Sequence, residues 1–148
     1  MTAAQLAREI MNLRGSLIDA PLEKLLLDDL STRAFDLYHR LELATVYPSQ
    51  QEIAALVRTV SVGLDIPPPT GSGLKIYFKT LAEVPLTVLM AAAERLVKTH
   101  RYPTFPKPVE WLGSASADQD EIEKARFTMQ IYERRLKMAR LYYGPRKG

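Results

Sequence analysis

Residues 74–112 read LKIYFKTLAEVPLTVLMAAAERLVKTHRYPTFPKPVEWL, and the fold follows from how this stretch is punctuated. Leu74, Tyr77, Phe78 and Leu81 recur at helical spacing, and so do Val88, Leu89, Ala92, Leu96 and Val97. The pattern predicts a short helix ending near Val84 and a second one ending near His100. Pro85 opens the second, because proline suits a first helical turn where its missing N–H costs nothing. Ala91 to Ala93 leave room for a neighbouring helix to come close. Pro103, Pro106 and Pro108 then stiffen a corner leading into Val109-Glu110-Trp111-Leu112. This corner should fold the one tryptophan back onto the hairpin of residues 74–100 and bury it. Tyr102 and Phe105 are expected to cover the same end.

Upstream lies DIPPPTGSG, residues 65–73, where three prolines stiffen the chain and the glycines release it. A subdomain break would fall here. Neither side is large enough for a comfortable core of its own, so one helical domain over residues 1–148 is expected. Before this linker, Ser49-Gln50-Gln51-Glu52 forms a capping box ahead of Ile53, Leu56, Val57 and Val60. Its helix should end near Gly63. A capped helix after a long one is also half of a helix-turn-helix, although the apolar stripe alone defines only a helical hairpin. Further back, Leu22, Leu25, Leu26, Leu30, Ala34, Leu37, Leu41 and Ala44 make one broad stripe. They predict a helix from near Pro21 to the Tyr47-Pro48 stop, with a bend or break at Ser31-Thr32. A first helix over residues 2–14 is capped by Thr2 and closed by Gly15.

Downstream, residues 118–143 predict a long final helix, with Ser114 or Ser116 as cap and Gly144-Pro145 as stop. Ile122, Ala125, Met129, Tyr132, Leu136, Ala139 and Tyr143 alternate steps of three and four, a coiled-coil seam. Phe127, Ile131, Met138 and Tyr142 make a second stripe on a neighbouring face. Two apolar faces call for two neighbours: the seam should pack on this chain, and the second stripe is either solvated or, as expected here, covered by a partner. A homo-oligomer formed through helix 118–143 is one such arrangement. The helix is also polarised, with Asp118, Asp120, Glu121 and Glu123 early and its cations late, which complements the helix dipole. The dipole accounts less well for the run from residue 134 to 147, which holds six basic residues and no acid. Arg134, Arg135, Lys137, Arg140, Tyr142, Tyr143, Arg146 and Lys147 are therefore the candidate binding residues, for an acidic protein surface or for nucleic acid.

Enzyme chemistry finds little support in the residues. There is no glycine-rich phosphate loop of the Walker type, and Gly71-Ser72-Gly73 is a linker. The carboxylates at Asp28-Asp29 and at Asp118, Asp120 and Glu121 have no convergent second group, so solvated helix faces are expected. The expectation is no catalytic residue, no cofactor and no metal. Cysteine is absent and the two histidines, His39 and His100, are far apart. His39 should lie on a helix surface, and His100 in a helix C-terminal turn. Lack of cysteine fits a reducing cytoplasm, and TAAQLAREIMNLRG has no apolar run of signal-peptide length. No window approaches about 18 uncharged apolar residues, so no membrane span is expected. A net charge of +3 does not select a partner, and 47% apolar residues suffice for an ordinary core.

Tyr77-Phe78, the Leu81–Pro85 turn, Ala91 to Ala93, Phe105-Pro106-Lys107-Pro108 and Val109-Glu110 occur in an order with family meaning. So does Val46-Tyr47-Pro48-Ser49 upstream. Over about residues 47–112 the chain resembles small phage-type replication proteins that load or inhibit a replicative hexameric helicase. It differs from them in its long leading helical region and its regular last helix. The resemblance implies an all-α fold, no enzymatic activity and a protein partner, the replicative helicase. Two other readings stand beside it: a small nucleic-acid-binding regulator using the basic last helix, and an oligomerising structural or assembly protein.

Overall fold

A computed structural model describes residues 1–26 and 29–144. The fold is all-α, as the periodicity predicts: the described residues contain helices and no strand. The α-helices are α1 (Ala3–Asn12), α2 (Leu30–Ala44), α3 (Gln50–Leu64), α4 (Ser72–Leu81), α5 (Leu86–Thr99) and α6 (Pro108–Tyr143). A π-helical turn, Gly15–Asp19, and a 3-10 helix, Leu22–Leu26, lie between α1 and α2. Asp28, Pro145, Arg146 and Lys147 lie outside the described residues. The chain divides into two compact units, Met1–Ala44 with Asp120–Gly148, and Thr45–Gln119. The Pro/Gly linker 65–73 is internal to the second unit, between α3 and α4.

In the first unit, a capping box starts α1. Thr2 Oγ1 accepts from the Gln5 amide at 3.2 Å, and Gln5 Oε1 accepts from the Thr2 amide at 2.8 Å. Leu6 and Ile10 are buried with Ala3, Ala4 and Ala7, so one face of the helix is sealed. Gly15 does not end the helical path, as its position suggested. The chain widens into the π-helical turn, with the Leu17 amide bonded to the Leu13 carbonyl at 2.9 Å. The single helix expected from Pro21 to Ala44 is instead a 3-10 helix followed by α2. The Asp29 carbonyl takes the first helical bond, from Arg33, which puts an aspartate at a cap, the position its short side chain favours. Ser31 and Thr32 lie within the first turn of α2 and break nothing. From the other side, α6 buries Ile122, Ala125, Met129, Tyr132, Leu136 and Ala139, six of the seven seam positions. The Tyr132 ring packs on Phe35 of α2 at 5.6 Å, and Arg126 Nε donates to Glu42 at 3.1 Å.

In the second unit, the Ser49 capping box forms as the spacing predicts. The Glu52 amide donates to Ser49 Oγ at 3.1 Å, and the Ser49 amide to Glu52 Oε1 at 3.0 Å. Asp65, in the left-handed region with φ 53, closes α3, a conformation that aspartate tolerates better than most residues. Close approach of helices occurs at Gly63, where a Cβ would sit 2.9 Å from the Val97 methyls of α5. A bond of 2.7 Å from the Leu86 amide to the Val46 carbonyl ties the segment before α3 to the start of α5.

The proline corner closes on one carbonyl. Pro106 O accepts from Tyr77 Oη at 2.7 Å and from Trp111 Nε1 at 3.3 Å. Phe105 lies between those rings, 5.8 Å from Tyr77 and 6.4 Å from Trp111. Trp111 is fully buried, with both its ring and its N–H satisfied. Tyr102, expected to cover this end, is exposed instead, its ring 5.6 Å from that of His100.

The last helix starts ten residues earlier than predicted. Pro108 opens α6, and Glu110 Oε2 accepts from the Lys107 amide at 2.8 Å, an N-terminal cap from within the first turn. Ser114 and Ser116 cap nothing: their hydroxyls donate to the carbonyls of Ala92 and Gly113. What holds the weak Gly-Ser-Ala-Ser stretch helical is tertiary. Arg95 of α5 donates to the Ser114 carbonyl at 2.7 Å and to Asp118 at 3.1 Å, and Ala115 is fully buried.

Candidate partner-binding face

The candidate residues on α6 divide by heading, because successive side chains turn by about 100° around a helix. The buried seam defines the inner face. Opposite it lie Phe127, Arg134, Met138 and Leu141, with Ile131 beside them. Phe127 is 63% exposed, Leu141 76% and Met138 43%, and Ile131 is half-buried. The second stripe expected from the sequence is therefore a real exposed face, which Tyr142 extends and Leu141 widens.

Of the eight candidate residues, Arg134 and Lys137 share this outer face, and Tyr142 borders it. Arg140 projects from one flank, and Tyr143 continues the line of the inner seam past the point where cover ends. Arg134, Lys137 and Arg140 are exposed and have no ion pair among the described residues. Arg146 and Lys147 fall outside the described residues.

Arg135 has a different heading and different partners. It points toward its own unit, donating from Nη1 to the Leu17 carbonyl at 2.8 Å and from Nη2 to the Ala20 carbonyl. Those carbonyls belong to the π-helical turn and the residue that ends it, where backbone acceptors lack helical partners. Such a half-buried guanidinium is engaged by its own unit.

A second surface was not singled out from the sequence. In the second unit, Gln50, Lys75, Phe78, Lys79 and Ala82 line an open groove of about 450 Å³. Two lysines and a phenylalanine among the lining residues suit an acidic, partly apolar segment. On the same unit Val46 and Tyr47 are exposed, although Pro48 beside them is buried. The signal available in the sequence was Tyr47 itself, an aromatic residue outside any helical stripe.

Burial, with a contribution from Glu110, raises the Tyr77 phenol above its usual range. Tyr38 on α2 is raised too, by burial first and then by Glu42 and Glu133. His39 is exposed on α2, and His100 Nε2 is 2.7 Å from the Thr104 carbonyl. Among the described residues no group of three or more His, Cys, Asp or Glu side chains could hold a metal ion, and no helix is long and apolar enough to cross a membrane. Comparison with protein-family models, with curated proteins and with solved structures finds no match.

Proposed function

We propose that this chain is a non-enzymatic, phage- or prophage-type DNA replication accessory protein that binds a replicative helicase, as its loader or its inhibitor. One observation carries the reading: the residues that resemble that family, about 47–112, fall within one compact unit, Thr45–Gln119. Inside it, separate parts of the pattern meet. The Val46–Ser49 segment is bonded to the start of α5 beside Pro85, and the Phe105–Pro108 corner is closed by Tyr77 and Trp111. The surface this unit offers a helicase is the exposed Val46-Tyr47 pair and the groove flanked by Lys75 and Lys79. Binding there would be protein–protein recognition, with an aromatic anchor and a cationic rim. The test is to mix the chain with the purified hexameric helicase of its bacterial host, with ATP, and measure complex mass by light scattering. A stable complex that Tyr47→Ala and Lys79→Glu weaken supports the reading. No complex at micromolar concentrations of both proteins refutes it.

A second reading, nucleic-acid binding, draws on Arg134, Lys137 and Arg140, exposed cations without an ion pair among the described residues, near exposed Tyr142. Phosphate contact would make affinity for single- or double-stranded DNA fall steeply with salt, by close to one log unit per log unit of salt for each contact. A flat salt profile, or affinity unchanged in Arg134→Ala/Lys137→Ala, removes that reading.

A further inference from the structure

The outer face of α6 repeats the geometry of its inner one. Phe127, Ile131, Arg134, Met138 and Leu141 are separated by four, three, four and three residues, the spacing of a coiled-coil seam. All are exposed except Ile131, which is half-buried. The charges along this face are ordered, with Asp120 and Glu123 exposed at its early end and Arg134 and Lys137 at its late end. An apolar centre and an acidic half oppose phosphate binding along this face as a whole. The same features match a surface whose charges run in the reverse order. That surface is this helix turned end to end.

We infer that a second copy of this chain docks along the outer face of α6 in antiparallel orientation, forming a two-fold dimer. Parallel pairing would set the late cations of the two copies against each other, whereas antiparallel pairing sets Glu123 opposite Lys137 of the second copy. The register follows from Arg134. A two-fold axis at Arg134 would press two guanidiniums together. An axis at Gln130-Ile131 stacks Ile131 on its own copy and puts the Phe127 ring beside Arg134 of the second copy, a cation–π pair. A self-complementary patch of this kind closes as a dimer and does not propagate.

The chain alone tests this. Light scattering at about 100 µM, where any interface with a micromolar Kd is filled, should give twice the chain mass of 16.7 kDa. Phe127→Glu should raise the dimer Kd at least about tenfold, with far-UV circular dichroism unchanged because the ring is exposed. Glu123→Lys and Lys137→Glu should each weaken the dimer, and the two together should restore it. Within one helix these positions are about 21 Å apart, so rescue reports a contact between copies. The chain has no cysteine, so single cysteines report orientation. Ile131→Cys should give a disulfide-linked dimer on oxidation. Leu141→Cys should not, its two copies lying roughly 30 Å apart. A monomer at that concentration, with or without DNA bound, overturns the inference. So does a dimer indifferent to Phe127→Glu, or one linked through Leu141→Cys and not through Ile131→Cys.

Discussion

Tyr132→Phe should stabilise this protein, which is unusual for a change at a fully buried position. The Tyr132 side chain is 0% exposed, and its hydroxyl has no hydrogen-bond partner among the described residues. A hydroxyl taken out of water without a partner costs roughly 1–3 kcal/mol. Phenylalanine keeps the ring in place against Phe35 and removes one oxygen, a smaller loss of packing than a methylene. The balance is a gain of about 1 kcal/mol. For 148 residues unfolding cooperatively that raises the melting temperature by roughly 3–4 °C. Tyr77→Phe is the matched control, since its hydroxyl is buried too but donates to Pro106 O at 2.7 Å. Losing that bond should cost about 1 kcal/mol, moderated because Trp111 Nε1 still donates to the same carbonyl. Urea and thermal unfolding followed by far-UV circular dichroism give both values. The reasoning fails if Tyr132→Phe loses 1 kcal/mol or more, which would mean the hydroxyl is satisfied in solution.

Trp111→Ala should destabilise by roughly 3–5 kcal/mol in urea unfolding, because it empties the largest buried side-chain site and takes one donor from the Pro106 carbonyl. Arg135→Ala should cost about 1–3 kcal/mol, since it strips donors from the Leu17 and Ala20 carbonyls, whereas Arg134→Ala should stay within about 0.5 kcal/mol. Equal effects of the two arginine substitutions on thermal stability would remove the distinction drawn between them. Stability should also fall at alkaline pH. Tyr38 and Tyr77 are raised above the ordinary value of 10.0 in the folded chain, so their contribution is complete below pH 10.0 and is lost as pH climbs through the raised folded values. In a phenolate absorbance titration of the folded protein, Tyr38→Phe and Tyr77→Phe should each remove a late-titrating tyrosine.

Periodicity made much of this fold legible. It located the six buried positions of the α6 seam, and it missed at Tyr143 because spacing says which side faces inward but not how far the covering helices reach. The Ser49 capping box was readable for a local reason, both of its partners lying within four residues. Two features had no such local signal. Residues 113–116 look like a helix boundary, with glycine and two serines that favour caps and turns. Their helical state comes from Arg95 and from burial of Trp111 and Ala115, interactions with α5 and the proline corner that no window of sequence contains. The linker at 65–73 has the composition of a boundary, yet Gly63 meets Val97 just before it and Tyr77 reaches the Pro106 carbonyl after it, so the helices on both sides share one unit.

Arg135 shows most directly why a charge run does not define a binding site. In sequence it is one cation among six, and the run reads as a single basic surface. Its acceptors are backbone carbonyls at Leu17 and Ala20, more than a hundred residues earlier, and carbonyls leave no mark on composition or charge pattern. Helical geometry then divides the rest. At about 100° per residue, Arg134 and Arg135 cannot head the same way, and three residues from Arg134 to Lys137 nearly complete a turn. One guanidinium is therefore spent on the fold while Arg134 and Lys137 stand beside Phe127, Met138 and Leu141 on the outer face. That face combines apolar area with ordered charge, a combination that the count of cations alone does not describe.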